Sequence, residues 1–159
     1  MPSLSTLTAA TGVLTASGVF TDTQTVVVGG KTYTTQTTLT NVDGNVYKGA
    51  NAAAGLQNLY DAINLTGTPG TQYAAAMTAN TRVAATGVTA TTLTVKALTP
   101  GEVGNLIAST ETQTNAAWGA AVLQNGAGTV NDWATSAIAN SQLNADAMRM
   151  LKTLTVAGV

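Results

Sequence analysis

Thr25-Val26-Val27-Val28-Gly29-Gly30-Lys31-Thr32-Tyr33-Thr34-Thr35 sets two β-prone runs on either side of a glycine pair. Glycine tolerates the positive φ angles of a tight primed turn, so the stretch predicts a β-hairpin that reverses at Gly29-Gly30. Alternation distributes Val26, Val28, Tyr33 and Thr35 over the two sides of a sheet, but the register is open at this level.

Working outward toward the C-terminus, Asn41-Val42-Asp43-Gly44-Asn45 is turn chemistry, and Val46-Tyr47-Lys48 reads as a short strand leading into a helix. Asn51 stands where an N-cap belongs. Leu56, Leu59, Tyr60 and Ile63 follow at i, i+3, i+4 and i+7, which predicts an amphipathic helix over Ala52–Asn64 that covers one face of the sheet. A loop at Thr66–Gly70 precedes Tyr73-Ala74-Ala75-Ala76-Met77, whose helix formers predict a second short helix stopping near Asn80. Arg82–Thr86 and Thr91–Leu98 then form a second hairpin about Gly87–Ala90, with Leu93, Val95 and Ala97 alternating against Thr94 and Lys96. Pro100–Asn105 is a loop, and Leu106–Thr110 restarts an extended run before Trp118 and the glycine-rich stretch at 126–128.

Two flanking segments complete the organisation. Residues 1–20 contain the similar pieces Thr11-Gly12-Val13-Leu14-Thr15 and Ser17-Gly18-Val19-Phe20-Thr21 and read as an extended N-terminal arm. Such an arm either adds a strand to a neighbouring subunit or forms the first strand of its own sheet. At the other end Asp132 lies near the start, and Arg149 and Lys152 near the finish, of a pattern that predicts a helix over Val130–Leu151, with charges matched to its macrodipole. Its Trp133, Ala137, Met148 and Leu151 pack either on a neighbouring subunit or on the same chain, and the apolar tail Leu154–Val159 calls for a partner. The expected class is therefore α+β: β-hairpins forming an antiparallel sheet against one or two short helices, with an arm (1–20), a core domain (21–125), and a C-terminal helix and tail (126–159).

Composition narrows the function. The chain has 159 residues, enough for one domain with a real core, and 45% of them are apolar. Only 8% are charged, against about 25% in ordinary soluble domains. Threonine, alanine, glycine and asparagine must therefore cover the surface. Burying such residues at a contact costs little desolvation or side-chain entropy, which suits permanent packing against neighbours. The net charge is −1 and the six basic residues are scattered, so no footprint for nucleic acid exists. No signal-peptide pattern opens the chain, and no apolar run approaches the ~18 residues of a membrane span. The expectation is a protein made in the cytoplasm, with neither nucleic acid nor membrane as partner.

The residues that usually carry chemistry are sparse. The sequence holds no histidine and no cysteine, which removes His-based triads, thiol catalysis and the commonest zinc ligands. The seven acids are separated along the chain, with no local pair for acid–base work. Gly29-Gly30-Lys31-Thr32 has the closing residues of a phosphate loop, but the first glycine of that spacing is missing. Asn41-Val42-Asp43-Gly44-Asn45 offers oxygens to a cation, yet Ala52 stands where the closing glutamate of a calcium loop belongs. Asn64-Leu65-Thr66 matches a glycosylation pattern that reads more simply as a helix end. No catalytic, cofactor-binding or metal-binding residue is assigned, no cofactor is expected, and the chain is read as a non-enzyme.

Several stretches together resemble a structural-protein domain of tailed bacteriophage and prophage virions. They are Val27–Thr34, Thr37–Val46, Ala52–Leu59 with Ala62-Ile63-Asn64, Gly70–Ala74, Leu93–Ala97, Gly104–Ala108 with Thr110-Glu111-Thr112, and Trp118-Gly119-Ala120, spanning roughly residues 21–124. These are turns, caps and core positions, so the resemblance implies a fold and a virion context and transfers no site. It implies a capsid decoration (cement) or head-associated subunit, located in the virion, with other virion proteins and further copies of itself as partners. A tail, baseplate or fibre component is the alternative within the same particle. A carbohydrate-binding adhesive module is a third reading, in which Trp118, Trp133, Tyr47 or Tyr60 would stack on sugars.

Overall fold

On either side of the glycine pair, Thr25–Val28 (β2) and Lys31–Gln36 (β3) pair antiparallel with Val28 opposite Lys31. Gly29 and Gly30 make the reversal at φ 64° and 78°, the left-handed pair a two-residue primed turn demands. The register puts Val26, Val28, Tyr33 and Thr35 on the buried side and Thr25, Val27, Thr32 and Thr34 on the other. The computed structural model describes residues 7–128. The expected C-terminal helix and tail, Val130–Leu151 and Leu154–Val159, lie outside them.

The described strands form two sheets where the sequence suggested one. The first runs β5-β6-β1-β8, from Val83–Val88 (β5), Thr92–Ala97 (β6), Thr11–Ala16 (β1) and Ala116–Trp118 (β8). The second runs β4-β3-β2-β7, adding Asn45–Tyr47 (β4) and Ser109–Glu111 (β7) to the hairpin. The two predicted hairpins therefore sit in different sheets, and β4 pairs parallel to β3, a departure from the all-antiparallel expectation. The connection at residues 37–44 makes this possible by returning the chain to the middle of β3, where Thr34 N–H donates to the Gly44 carbonyl, so that β4 then runs in the same direction as β3.

Of the two readings of the N-terminal stretch, the structure has the strand of its own sheet. β1 lies between β6 and β8, with Leu14 opposite both Leu93 and Trp118 and fully buried. Residues 11–16 are accordingly an interior strand of the body, not an arm reaching to a neighbour. Phe20, just beyond, is also fully buried. The physical reason lies in the alternation Val13, Leu14, Thr15, Ala16, which gives the strand a buried and an exposed side.

The helix Ala52–Asn64 (α1) has the predicted bounds. Asn51 caps it in an extended conformation, its Oδ1 accepting from Ala54 N–H at 2.9 Å. Leu56, Leu59, Ala62 and Ile63 form its buried stripe, packed against β4 of one sheet and β5 and β6 of the other. One core joins both sheets and the helix, with Leu14, Phe20, Val26, Tyr33, Leu56 and Leu93 among its fully buried members. Each such large side chain contributes roughly 1.5–3 kcal/mol by leaving water.

The expected second helix at 73–80 is absent; turns and bridges occupy these residues. Tyr73 bridges Val46 and Pro69, Ala74 N–H donates to the Asn45 carbonyl, and Ala76 and Thr78 N–H donate to the side chains of Asn41 and Asp43. Alanine's helix preference is a few tenths of a kcal/mol per residue and a short isolated helix is not self-supporting, so specific acceptors on the 41–45 turn prevail. The loop at Pro100–Asn105 is also corrected in part. Glu102–Leu106 forms a 3-10 helix, and the extended run begins later, at β7.

Candidate functional site

The polar side chains buried in the body are occupied by structural duties. Asn80 donates to the Val28 carbonyl and the Tyr33 hydroxyl, and its Oδ1 accepts from Arg82 and Val83 N–H, so one residue ties the hairpin of the second sheet to the start of β5. Asp61 accepts from Gln57, Thr66 and Gln72 side chains and closes the end of α1. Gln113 donates to the Thr35 hydroxyl, which in turn donates to the Thr21 carbonyl. Among the described residues no buried side-chain nitrogen or oxygen lacks a partner.

Gly29-Gly30-Lys31-Thr32 is the hairpin turn and the start of β3, with no helix after it. Lys31 Nζ donates to Asp43 Oδ1 at 2.8 Å, to Thr78 Oγ1 at 2.8 Å, and to the Thr78 carbonyl. The Lys31 ammonium and the Thr78 N–H and hydroxyl hold the Asp43 carboxyl down at about 2. The 41–45 turn directs its oxygens at the 76–78 segment: Asn41 Oδ1 takes Ala76 N–H and both Asp43 oxygens take Thr78 donors. Asn64 forms a two-way clasp with Ala85, Nδ2 to the carbonyl at 2.9 Å and Oδ1 from N–H at 3.0 Å, so its amide is committed to β5. Among the described residues no group of three or more acids could hold a metal ion, and no helix is long and apolar enough to cross a membrane.

For the sugar-stacking reading, Trp118 is buried and its Nε1 donates to the Thr110 carbonyl at 3.2 Å, so its ring belongs to the core. Tyr47 and Tyr60 are half-buried, and Trp133 lies outside the described residues.

What the body does present is two outward sheet faces. Pairing and alternation put Thr25, Val27, Thr32, Thr34, Gln36 and Thr110 on the outer side of the second sheet. On the first they put Val13, Thr15, Ala84, Thr92, Thr94, Lys96 and Ala117 there. Among the described residues Lys96 is the one charged side chain on these two faces. Threonine suits this position twice: its β-branch favours the pleated backbone, and its short neutral side chain loses little entropy or hydration when covered. The threonine-rich hairpin was legible in the sequence as a strand pair; its neutral outer face emerges only once Val28 is seen opposite Lys31.

Comparison with protein-family models, with curated proteins and with solved structures finds no match to this chain.

Proposed function

We propose that the chain is a non-catalytic structural subunit of a tailed-bacteriophage virion, a capsid decoration or head-associated protein that contributes shape and contact area. The observation that carries this reading is the pair of threonine-rich sheet faces with a single charge between them. A contact of that kind is formed by covering neutral side chains whose dehydration is inexpensive compared with that of Lys or Glu. The sparse ionisable side chains, with neither histidine nor cysteine among them, support a role without turnover. The residue stretches that resemble virion structural domains supply the particle context. Other virion proteins and further copies of the chain are the partners this role requires.

The test is a charge placed in the centre of a face. Thr34→Glu on the second sheet and Thr94→Glu on the first should leave the thermal midpoint within a few degrees, since both positions face outward. At least one of them should abolish incorporation into particles. Normal incorporation of both variants, each folded, would refute the reading.

A further inference from the structure

One end of the body carries an apolar cluster beside the point where the described chain leaves off. The 3-10 helix Glu102–Leu106 brings residues three apart onto the same side, and its Val103 and Leu106 are 54% and 76% exposed. Its Gly104 is buried. Leu7, 39% exposed, lies against Gly101 at the start of the same helix. A cleft of about 230 Å³ borders the cluster, lined by Thr81, Arg82, Thr99, Val103, Gly104 and Ile107.

The chain is fastened at this same end. Asn105 clasps Gly126 both ways, Oδ1 from N–H at 2.8 Å and Nδ2 to the carbonyl at 2.9 Å. Ala127 exchanges backbone hydrogen bonds with Thr8, and Glu102 N–H donates to the Gly128 carbonyl at 3.1 Å. Gly128 therefore lies beside Glu102, the chain neighbour of Val103. In the sequence that follows, Val130, Trp133 and Ala137 fall at i, i+3 and i+7, an apolar stripe for the first turns of the helix expected over Val130–Leu151.

We infer that residues 130–138 of the same chain seat on this cluster, with Trp133 as the anchor over Val103, Leu106 and Leu7. The area decides between a tethered segment and a separate molecule. Three partly exposed aliphatic side chains offer on the order of a few hundred Å², well below the ~800 Å² per partner that a stable complex buries. A segment tethered two residues away needs far less, because its effective concentration is in the ~mM range. The inference does not rest on the virion reading: it concerns how the body and its C-terminal segment join, and holds or fails in the isolated chain.

The chain contains two tryptophans, Trp118 in the core and Trp133 in the segment, so the full-length protein labelled with 5-fluorotryptophan has a built-in control. The fluorine resonance of Trp133, assigned with Trp133→Phe, should be shielded from solvent in the wild type and unchanged on hundredfold dilution. Leu106→Asp, at an exposed position, should move it to the solvent-exposed value while the Trp118 resonance stays in place. A Trp133 resonance that is solvent-exposed in the wild type, or indifferent to both Leu106→Asp and Val103→Asp, overturns the inference. One that becomes exposed on dilution also overturns it, in favour of a second copy as occupant.

Discussion

Asn80→Ala is the substitution that asks most of this fold. The side chain is 7% exposed and makes four hydrogen bonds of 3.0–3.2 Å, to the Val28 carbonyl, the Tyr33 hydroxyl, and Arg82 and Val83 N–H. Val28 and Tyr33 are fully buried and Val83 nearly so, so truncation leaves three groups without partners away from water. Each such orphan costs about 1–3 kcal/mol, and a water entering the vacated space recovers part, giving a net loss of about 3–5 kcal/mol. That is a large share of the 5–15 kcal/mol typical of a domain, and corresponds to a fall of more than about 10 °C in thermal midpoint. Urea unfolding followed by circular dichroism measures it, with the midpoint shifting at constant m-value. Tyr33→Phe, which removes one of the four bonds, should cost about 0.5–1.5 kcal/mol, and the double variant should fall short of additivity. A loss below about 1 kcal/mol for Asn80→Ala would refute the argument that this residue joins the two sheets.

The other predictions are local. Leu65 ends α1 at φ 54°, a left-handed position that disfavours a leucine and suits glycine; Leu65→Gly should raise stability by about 1 kcal/mol in the same urea assay, even though it deletes an apolar side chain. Gly55→Ala inside α1 would ordinarily stabilise a helix, but an added Cβ would stand 2.6 Å from the Lys48 carbonyl oxygen and 3.1 Å from the Phe20 ring, so it should cost about 1–3 kcal/mol. Asp43 is held at about 2, below the ordinary 3.8, so the stability its ionised form contributes is present above pH ~4 and is lost as pH falls toward 2. Comparing thermal midpoints at pH 5 and pH 2 should show a smaller drop in Asp43→Asn than in the wild type, and equal drops would contradict the assignment.

How much of this was legible beforehand depended on whether the deciding interaction was local. The Gly29-Gly30 turn, the Asn51 cap and the 52–64 helix were readable because their signals lie within a few residues of one another. The second hairpin was readable for the same reason. The division into two sheets was not, because β1 pairs with β6, about eighty positions away, and no periodicity within Thr11–Ala16 encodes that choice. The supposed helix at 73–80 failed because its competitors, Asn41 and Asp43, lie more than thirty residues upstream. The outer faces fall between these cases. Their threonines are evident in the sequence, whereas their gathering onto two neutral surfaces depends on the pairing of distant strands.

Salt gives the most direct test of how such surfaces hold. Charged contacts weaken as ionic strength rises, and contacts between neutral faces do not. Tailed particles purified from cells producing the chain should carry it, and quantitative mass spectrometry should find the same number of copies per particle after washing at low salt and at 1 M NaCl. Release by moderate salt, or particles that never contain the chain, would contradict the account.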